Sequence, residues 1–131
     1  MATELRVEIV TPESSIFSGA AQEVVLPAWE GQMGVLPDHD ALLSLLKSGL
    51  CEVIAGGTSR KWVIGRGFAD IGTDHVTLLT DRAVPVDQLD KAGASAELAK
   101  ATAEIDQHPL GSEAQKAAVV RAEWAQAILD A

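Results

Sequence analysis

Alanine and glycine are distributed unevenly along this chain, and the break near residue 87 constrains the fold more than any other feature. Almost every third residue from Gln88 to Ala131 is alanine, whereas all glycines except Gly93 and Gly111 lie before that point. Alanine is the strongest helix former and glycine a leading turn residue, so two structural regimes share one chain. The expected division is a β-rich region over residues 1–86 and a helical region over residues 87–131.

In the first region Leu5, Val7 and Ile9 alternate with Arg6 and Glu8, the period of a half-buried strand. Thr11-Pro12-Glu13-Ser14 has turn chemistry. Short apolar runs follow at Ile16-Phe17, Val24 to Leu26, Leu42 to Leu46, Leu50 to Ile54, Lys61 to Ile64 and Val76 to Leu79. Glu30-Gly31-Gln32-Met33-Gly34, Pro37-Asp38, Gly56-Gly57 and Gly72-Thr73-Asp74 read as the breaks between them. Many short strands at close spacing predict a β-sandwich or barrel.

The second region reads as two helices. Asp87 is the expected N-cap of the first, with Asp90 favouring its positive end. Leu89, Ala92, Ala96, Ala99 and Ala103 follow helical spacing, and Gly93 interrupts them at a cost of about 1 kcal/mol relative to alanine. His108-Pro109-Leu110-Gly111 ends this helix, and Ser112 with Gln115 forms a capping box for the next. Its expected stripe is Ala117, Val120, Trp124, Ala127 and Ala131. Small residues on both stripes predict a closely packed antiparallel hairpin, held by little buried area and free to change position.

Charge and cysteine content narrow the chemistry. A formal net charge of −9 repels phosphate backbones, so nucleic acid is excluded as an expected partner. One cysteine, Cys51, allows no internal disulfide and fits a reducing compartment. Met1 to Leu5 shows no basic or apolar leader, and Ser44 and Lys47 break the longest apolar run. No direct membrane insertion is expected.

Candidate reactive motifs each have a simpler structural account. Asp38-His39-Asp40 would need further ligands or a substrate to be a metal site or an oriented base, and adjacent side chains in an extended segment point apart. Cys51 sits in an apolar strand with no local base. Gly65-Arg66-Gly67 lacks the third glycine and the following helix of a phosphate loop, so close backbone approach explains it better. Core packing is the expectation for Trp62, Trp124 and Trp29, with an interface as the alternative for Trp29 beside the glycine-rich segment. The residues therefore predict an acidic interaction module with no catalytic residues, metal or cofactor.

The segment Val24-Val25-Leu26-Pro27-Ala28-Trp29-Glu30-Gly31-Gln32-Met33-Gly34-Val35-Leu36-Pro37-Asp38-His39 resembles a diagnostic stretch of the ε-subunit family of bacterial F-type ATP synthases, related to chloroplast ε and mitochondrial δ. The leucine-rich run Ala41 to Leu46 follows it as in that family. Val7 to Glu13 with Phe17-Ser18-Gly19, and Gly67 to Ile71 with Val76 to Asp81, are similar as well.

The resemblance implies a non-catalytic central-stalk subunit that couples rotation of a c-ring, through γ, to ATP synthesis. It places the chain on the cytoplasmic face of the bacterial inner membrane, peripherally. Glu30, Gly31, Gln32, Met33 and Gly34 match the loop that meets the c-ring, with Gln32 at an often acidic position. Thr11, His39 and Ser44 match positions on the γ-facing surface. Some relatives bind ATP through an [IL]-D-x-x-R-A motif in the hairpin. Here Leu89-Asp90 is kept but Gly93 replaces the arginine, and Arg121 is the sole arginine after Arg82, so weak or no ATP binding is expected. Others insert a basic tail into the catalytic α/β hexamer to inhibit hydrolysis. Residues 88–131 carry four basic and seven acidic side chains, a net of −3, which predicts poor docking there. The alternatives are a stand-alone ligand- or nucleotide-sensing sandwich with a mobile hairpin, and a small hydrolase using His39 or Cys51.

Overall fold

A computed structural model describes residues 3–131. The expectation that no leader occupies Met1 and Ala2 therefore lies outside the described residues. The chain divides into two compact units after Val86. The expected fold class holds: strands build the first unit and a pair of helices the second.

Ten strands follow in order: β1 (Leu5–Val10), β2 (Ser15–Ala21), β3 (Glu23–Ala28), β4 (Gly31–Val35), β5 (Leu42–Leu46), β6 (Gly49–Ala55), β7 (Thr58–Ile64), β8 (Gly67–Ile71), β9 (His75–Thr80) and β10 (Ala83–Pro85). They hydrogen-bond in the path β10-β7-β6-β3-β5-β8-β9-β1-β2, with β4 paired to β3 off the path. All pairs are antiparallel except β1 with β9.

Strand β3 is the joint at which this path folds into two layers. On one side it pairs with β4 along its length. Its other edge is shared, Glu23 to Val25 pairing with β6 and Ala28 with Leu46 of β5. Pro27 lies at the change of partner, where a missing N–H costs no ladder bond, and its carbonyl accepts from Lys47 N–H (3.0 Å). Gly49 fits this crossing because a Cβ there would stand 2.6 Å from the Pro27 ring.

One core joins both layers: Leu5, Val7, Ile9, Leu78, Val76 and Ile71 from one, Val24, Leu26, Cys51, Val53 and Trp62 from the other. The alternation read in β1 is real, with Leu5, Val7 and Ile9 fully buried. Arg60 lies over both Phe17 and Trp62, whose rings are 5.3 Å apart, so a cation covers the aromatic pair joining β2 to β7. The Gly65-Arg66-Gly67 motif is structural. A Cβ on Gly67 would overlap the Leu79 carbonyl, and the buried Thr80 hydroxyl lies 2.9 Å from the Gly65 carbonyl oxygen and 3.2 Å from that of Arg66.

One expected break is a strand. Trp29 and Glu30 alone form the turn, and Gly31 to Val35 form β4, paired residue for residue with β3. The two glycines read as punctuation, but Gly31, with φ 139°, only opens the strand and Gly34 lies within its ladder.

The helical unit contains α1 (Lys91–Gln107) and α2 (Glu113–Asp130). The N-cap of α1 is Asp90 and not Asp87, which lies in a 3-10 turn over Val86–Gln88. The Asp90 carboxylate accepts from Gly93 N–H (2.9 Å), and a Cβ on Gly93 would crowd that carboxylate, which explains the glycine. Ser112 caps α2 as expected, accepting from Gln115 N–H, while the Gln115 side chain accepts from Gly111 N–H.

The buried faces differ from those expected. Ala92, Ala96, Ala99 and Ala103 are exposed, and Ala94 and Ala101 are buried. Alanines at alternate positions satisfy more than one helical series. The larger Leu98 and Ile105, both half-buried, select the one that wins because apolar area drives burial. In α2, Trp124 and Ala127 are buried as expected, but Ala118 replaces Ala117. Lys91 Nζ donates to the Ala131 carbonyl (2.6 Å) and Gln115 Nε2 to the Ile105 carbonyl (3.3 Å), which fixes the antiparallel register. Arg121 lies between Glu104 and Glu97, the latter at 3.6 Å.

Candidate docking interface

Strand register sorts the side chains of β5, β8, β9 and β1 onto two faces. Ser44, Ala69, Leu78 and Ile9 are cross-strand neighbours on the inner face, and the last three are buried. One residue along, Leu45 pairs with Phe68, Phe68 with Leu79 and Leu79 with Val10. These four form an apolar row on the outer face, about 14 Å long at the usual strand spacing. Leu45 is 63% exposed, Phe68 43% and Leu79 40%; Leu43, two residues along β5, is 69% exposed.

Such a row is out of keeping with a face meant for water. A solvated strand alternates apolar and polar side chains, whereas Leu42-Leu43-Ser44-Leu45-Leu46 is apolar on both sides. Covering each partly exposed Leu or Phe is worth roughly 1 kcal/mol, given the usual yield for a fully exposed side chain. Contiguous exposed apolar area of this kind marks interaction sites.

Grooves flank the row at both ends. One, of about 540 Å³, lies between the free part of β5 and the β3–β4 hairpin, lined by Trp29, Glu30, Gln32, Met33, Leu42 and Leu45 among others. Trp29 is not in the core but 51% exposed, because it sits in the β3–β4 turn, with the Arg66 guanidinium 5.1 Å from its ring centre. The other, of about 420 Å³, is lined by Val10, Thr11, Pro12 and Leu79 among others.

The expected site residues distribute over this region without converging. Glu30 is in the turn of the β3–β4 hairpin, and Gly31, Gln32, Met33 and Gly34 are in β4. Thr11 is buried in the β1–β2 turn, bonded to Ser14 and bordering the second groove. His39 lies in the β4–β5 connection, its Nδ1 2.6 Å from the Asp40 carbonyl oxygen. The neighbouring Asp38 N–H bonds Thr73, which places His39 at the opposite end of β8 and β9 from Thr11. Ser44 is on the inner face, turned away from Leu43 and Leu45.

Phe68, Leu79 and the outward direction of Leu43 and Leu45 were missed in sequence reasoning. The signal was the pair of leucines on each side of Ser44 in β5, which reports apolar side chains on both faces only once β5 is known to be a strand.

Chemistry is quiet elsewhere. The Cys51 thiol is pushed up from 9.0 to about 12, by burial first and by the Glu52 charge second, so it holds its proton at neutral pH. Among the described residues no group of three or more His, Cys, Asp or Glu is placed to hold a metal, and no helix is long and apolar enough to cross a membrane.

Comparison with known proteins agrees with this architecture. Residues 4–86 match the family described as ATP synthase, Delta/Epsilon chain, beta-sandwich domain. The chain is 40% identical over 107 residues to the ATP synthase epsilon chain of Allorhizobium ampelinum, covering 81% of this chain and 79% of that one. It is 36% identical over 125 residues to the ATP synthase epsilon chain of Desulforamulus reducens, covering 95% and 91%. In fold it is similar to a chain in a structure of the Euglena gracilis mitochondrial ATP synthase (OSCP/F1/c-ring), with a TM-score of 0.85 and 24% identity over 99% of this chain and 82% of that one. The match over the whole sandwich and the identity carried through most of the chain establish that it belongs to the ATP synthase delta/epsilon chain family.

Proposed function

We propose that the chain is a non-catalytic subunit of the central stalk of an F-type ATP synthase, coupling rotation of the c-ring through γ to ATP synthesis. The observation that carries this reading is the exposed Leu45-Phe68-Leu79-Val10 row, in a sandwich that matches its family over residues 4–86. Rotational coupling demands a surface that grips without doing chemistry. An apolar strip on a rigid sheet supplies grip, since its packing partners are fixed by backbone register and not by loops. In this reading the row faces γ, and the β3–β4 hairpin with Glu30, Gln32 and Met33 meets the polar loops of the c-ring. The complex holds the chain peripherally at the cytoplasmic face of the bacterial inner membrane.

The hairpin is assigned a latch or structural role, with weak or no ATP binding. Arg121, the one arginine of the tail, is engaged by Glu97 and Glu104, and Asp90 is engaged in capping α1. Polyphosphate would have to displace two carboxylates to reach that guanidinium. Docking of the tail into the α/β hexamer is disfavoured by its net acidity.

The test is binding of the purified full chain to a γ-containing catalytic core, with Leu45→Glu as the variant. Tight wild-type binding that L45E weakens by about a hundredfold is expected for a charge buried in an interface centre. Equal binding of the two would remove the row from the interface. Calorimetry with ATP separates the sensing reading, for which a clear binding isotherm is required.

A further inference from the structure

The apolar row has a charged neighbour. Two residues along each strand, about 7 Å away, the same outer face carries Leu43, Asp70, Thr77 and Glu8 as consecutive cross-strand neighbours. Asp70 and Glu8 thus stand on a line parallel to Leu45-Phe68-Leu79-Val10, one row over. The nearby cation on β1, Arg6, donates to Ser18 Oγ (2.6 Å). His75 lies 3.7 Å from Asp70 and 3.2 Å from Asp74.

A partner that covers the apolar row brings its surface over these two carboxylates. Partial burial of a carboxylate is unfavourable unless a cation arrives with the partner. The distance between the rows is also within one Debye length at physiological ionic strength, so the carboxylates act on whatever docks. A second copy of this chain brings another net charge of −9 to the face, which opposes self-association.

Resting on the rotor reading, we infer that the partner segment on this face is bipartite: an apolar strip for Leu45, Phe68, Leu79 and Val10, flanked by basic side chains that meet Glu8 and Asp70. Apolar contact supplies the affinity, and the carboxylate row fixes the lateral position of the partner and excludes an acidic one. The two rows together define one orientation, which an apolar strip alone leaves free to slide.

The experiment measures binding of the full chain to a γ-containing catalytic core at 50 and 500 mM salt, for wild type, Glu8→Gln/Asp70→Asn and Leu45→Ser. For the wild type, affinity is expected to fall about tenfold between the two salts. The E8Q/D70N double variant, with an unchanged thermal midpoint, is expected to bind about tenfold more weakly at low salt and to lose most of the salt dependence. L45S weakens binding at both salts and keeps the salt dependence. Identical binding and identical salt dependence of E8Q/D70N and wild type would overturn the bipartite partner while leaving the rotor reading intact. Failure of the wild type to bind at either salt overturns both. A concentration-dependent dimer of the isolated chain that L45S abolishes would assign the face to a second copy and overturn the proposal.

Discussion

The sandwich and the hairpin solve the same problem with different materials. In the sandwich, Leu5, Ile9, Leu26, Leu78 and their neighbours lose all contact with water, and strand register gives each one fixed partners. In the hairpin, Ala94, Ala101, Ala118 and Ala125 form much of the buried face, and alanine contributes little area. The hairpin makes up part of the difference with polar fastenings: Arg121 between two carboxylates, Lys91 on the Ala131 carbonyl, Gln115 on Ile105. Apolar cores fail together, whereas a set of fastenings fails singly. The sandwich is therefore one continuous apolar core, and the hairpin is held by separable contacts.

The sharpest break in that comparison is a core truncation. Leu78→Ala is expected to cost about 2–5 kcal/mol in denaturant unfolding of the sandwich, because its side chain is fully buried between layers. A cost below about 1 kcal/mol would mean that the core is not the tight apolar layer described.

A titration tests the same core. The folded Cys51 thiol holds its proton to about pH 12, while the unfolded one releases it near 9.0. Between those values the unfolded state binds fewer protons than the folded state, so stability is lost as pH rises from about 9 towards 12. Comparing alkaline unfolding curves of wild type and Cys51→Ala should show a shallower loss in the variant. Native protein should also resist thiol reagents at pH 8, and fast labelling would contradict the burial.

The alternation of Leu5, Val7 and Ile9, the Ser112 cap and the burial of Trp62 and Trp124 were all legible in the sequence, each resting on one local rule. What was not legible depends on partners distant in the chain. Gly31 to Gly34 read as a break because two glycines in four residues outweigh the short alternation of Met33 and Val35, and β4 is revealed by its pairing with β3. The α1 face was misread because alanines at 92, 94, 96, 99, 101 and 103 satisfy several helical series, and Asp87 competed with Asp90 as the cap. Ser44 could be placed on β5, but its inward direction follows from its pairing with Ala69. Phe68 and Leu79 became parts of a site only once β8 and β9 were aligned with β5.

Smaller effects sharpen the hairpin side. Asp90→Ala removes the acceptor for Gly93 N–H and should cost the helical unit about 1 kcal/mol, read as a lower midpoint of the 222 nm melt. Arg121→Ala should cost about 0.5–1 kcal/mol, because Arg121 and its carboxylate partners are partly exposed and screened. High salt should shrink the Arg121 effect and leave the Asp90 effect largely intact. Equal salt sensitivity of the two would mean that the ion pairs are not separate fastenings.

In the proposed function the sandwich alone grips the rotor, and the hairpin is not required for assembly. The most direct measurement compares binding of the full chain and of residues 1–87 to a γ-containing catalytic core, by interferometry at physiological salt. Affinities within about threefold of each other are expected, a difference of less than 1 kcal/mol. Loss of binding on removal of the hairpin would contradict it and move the grip to the helical unit.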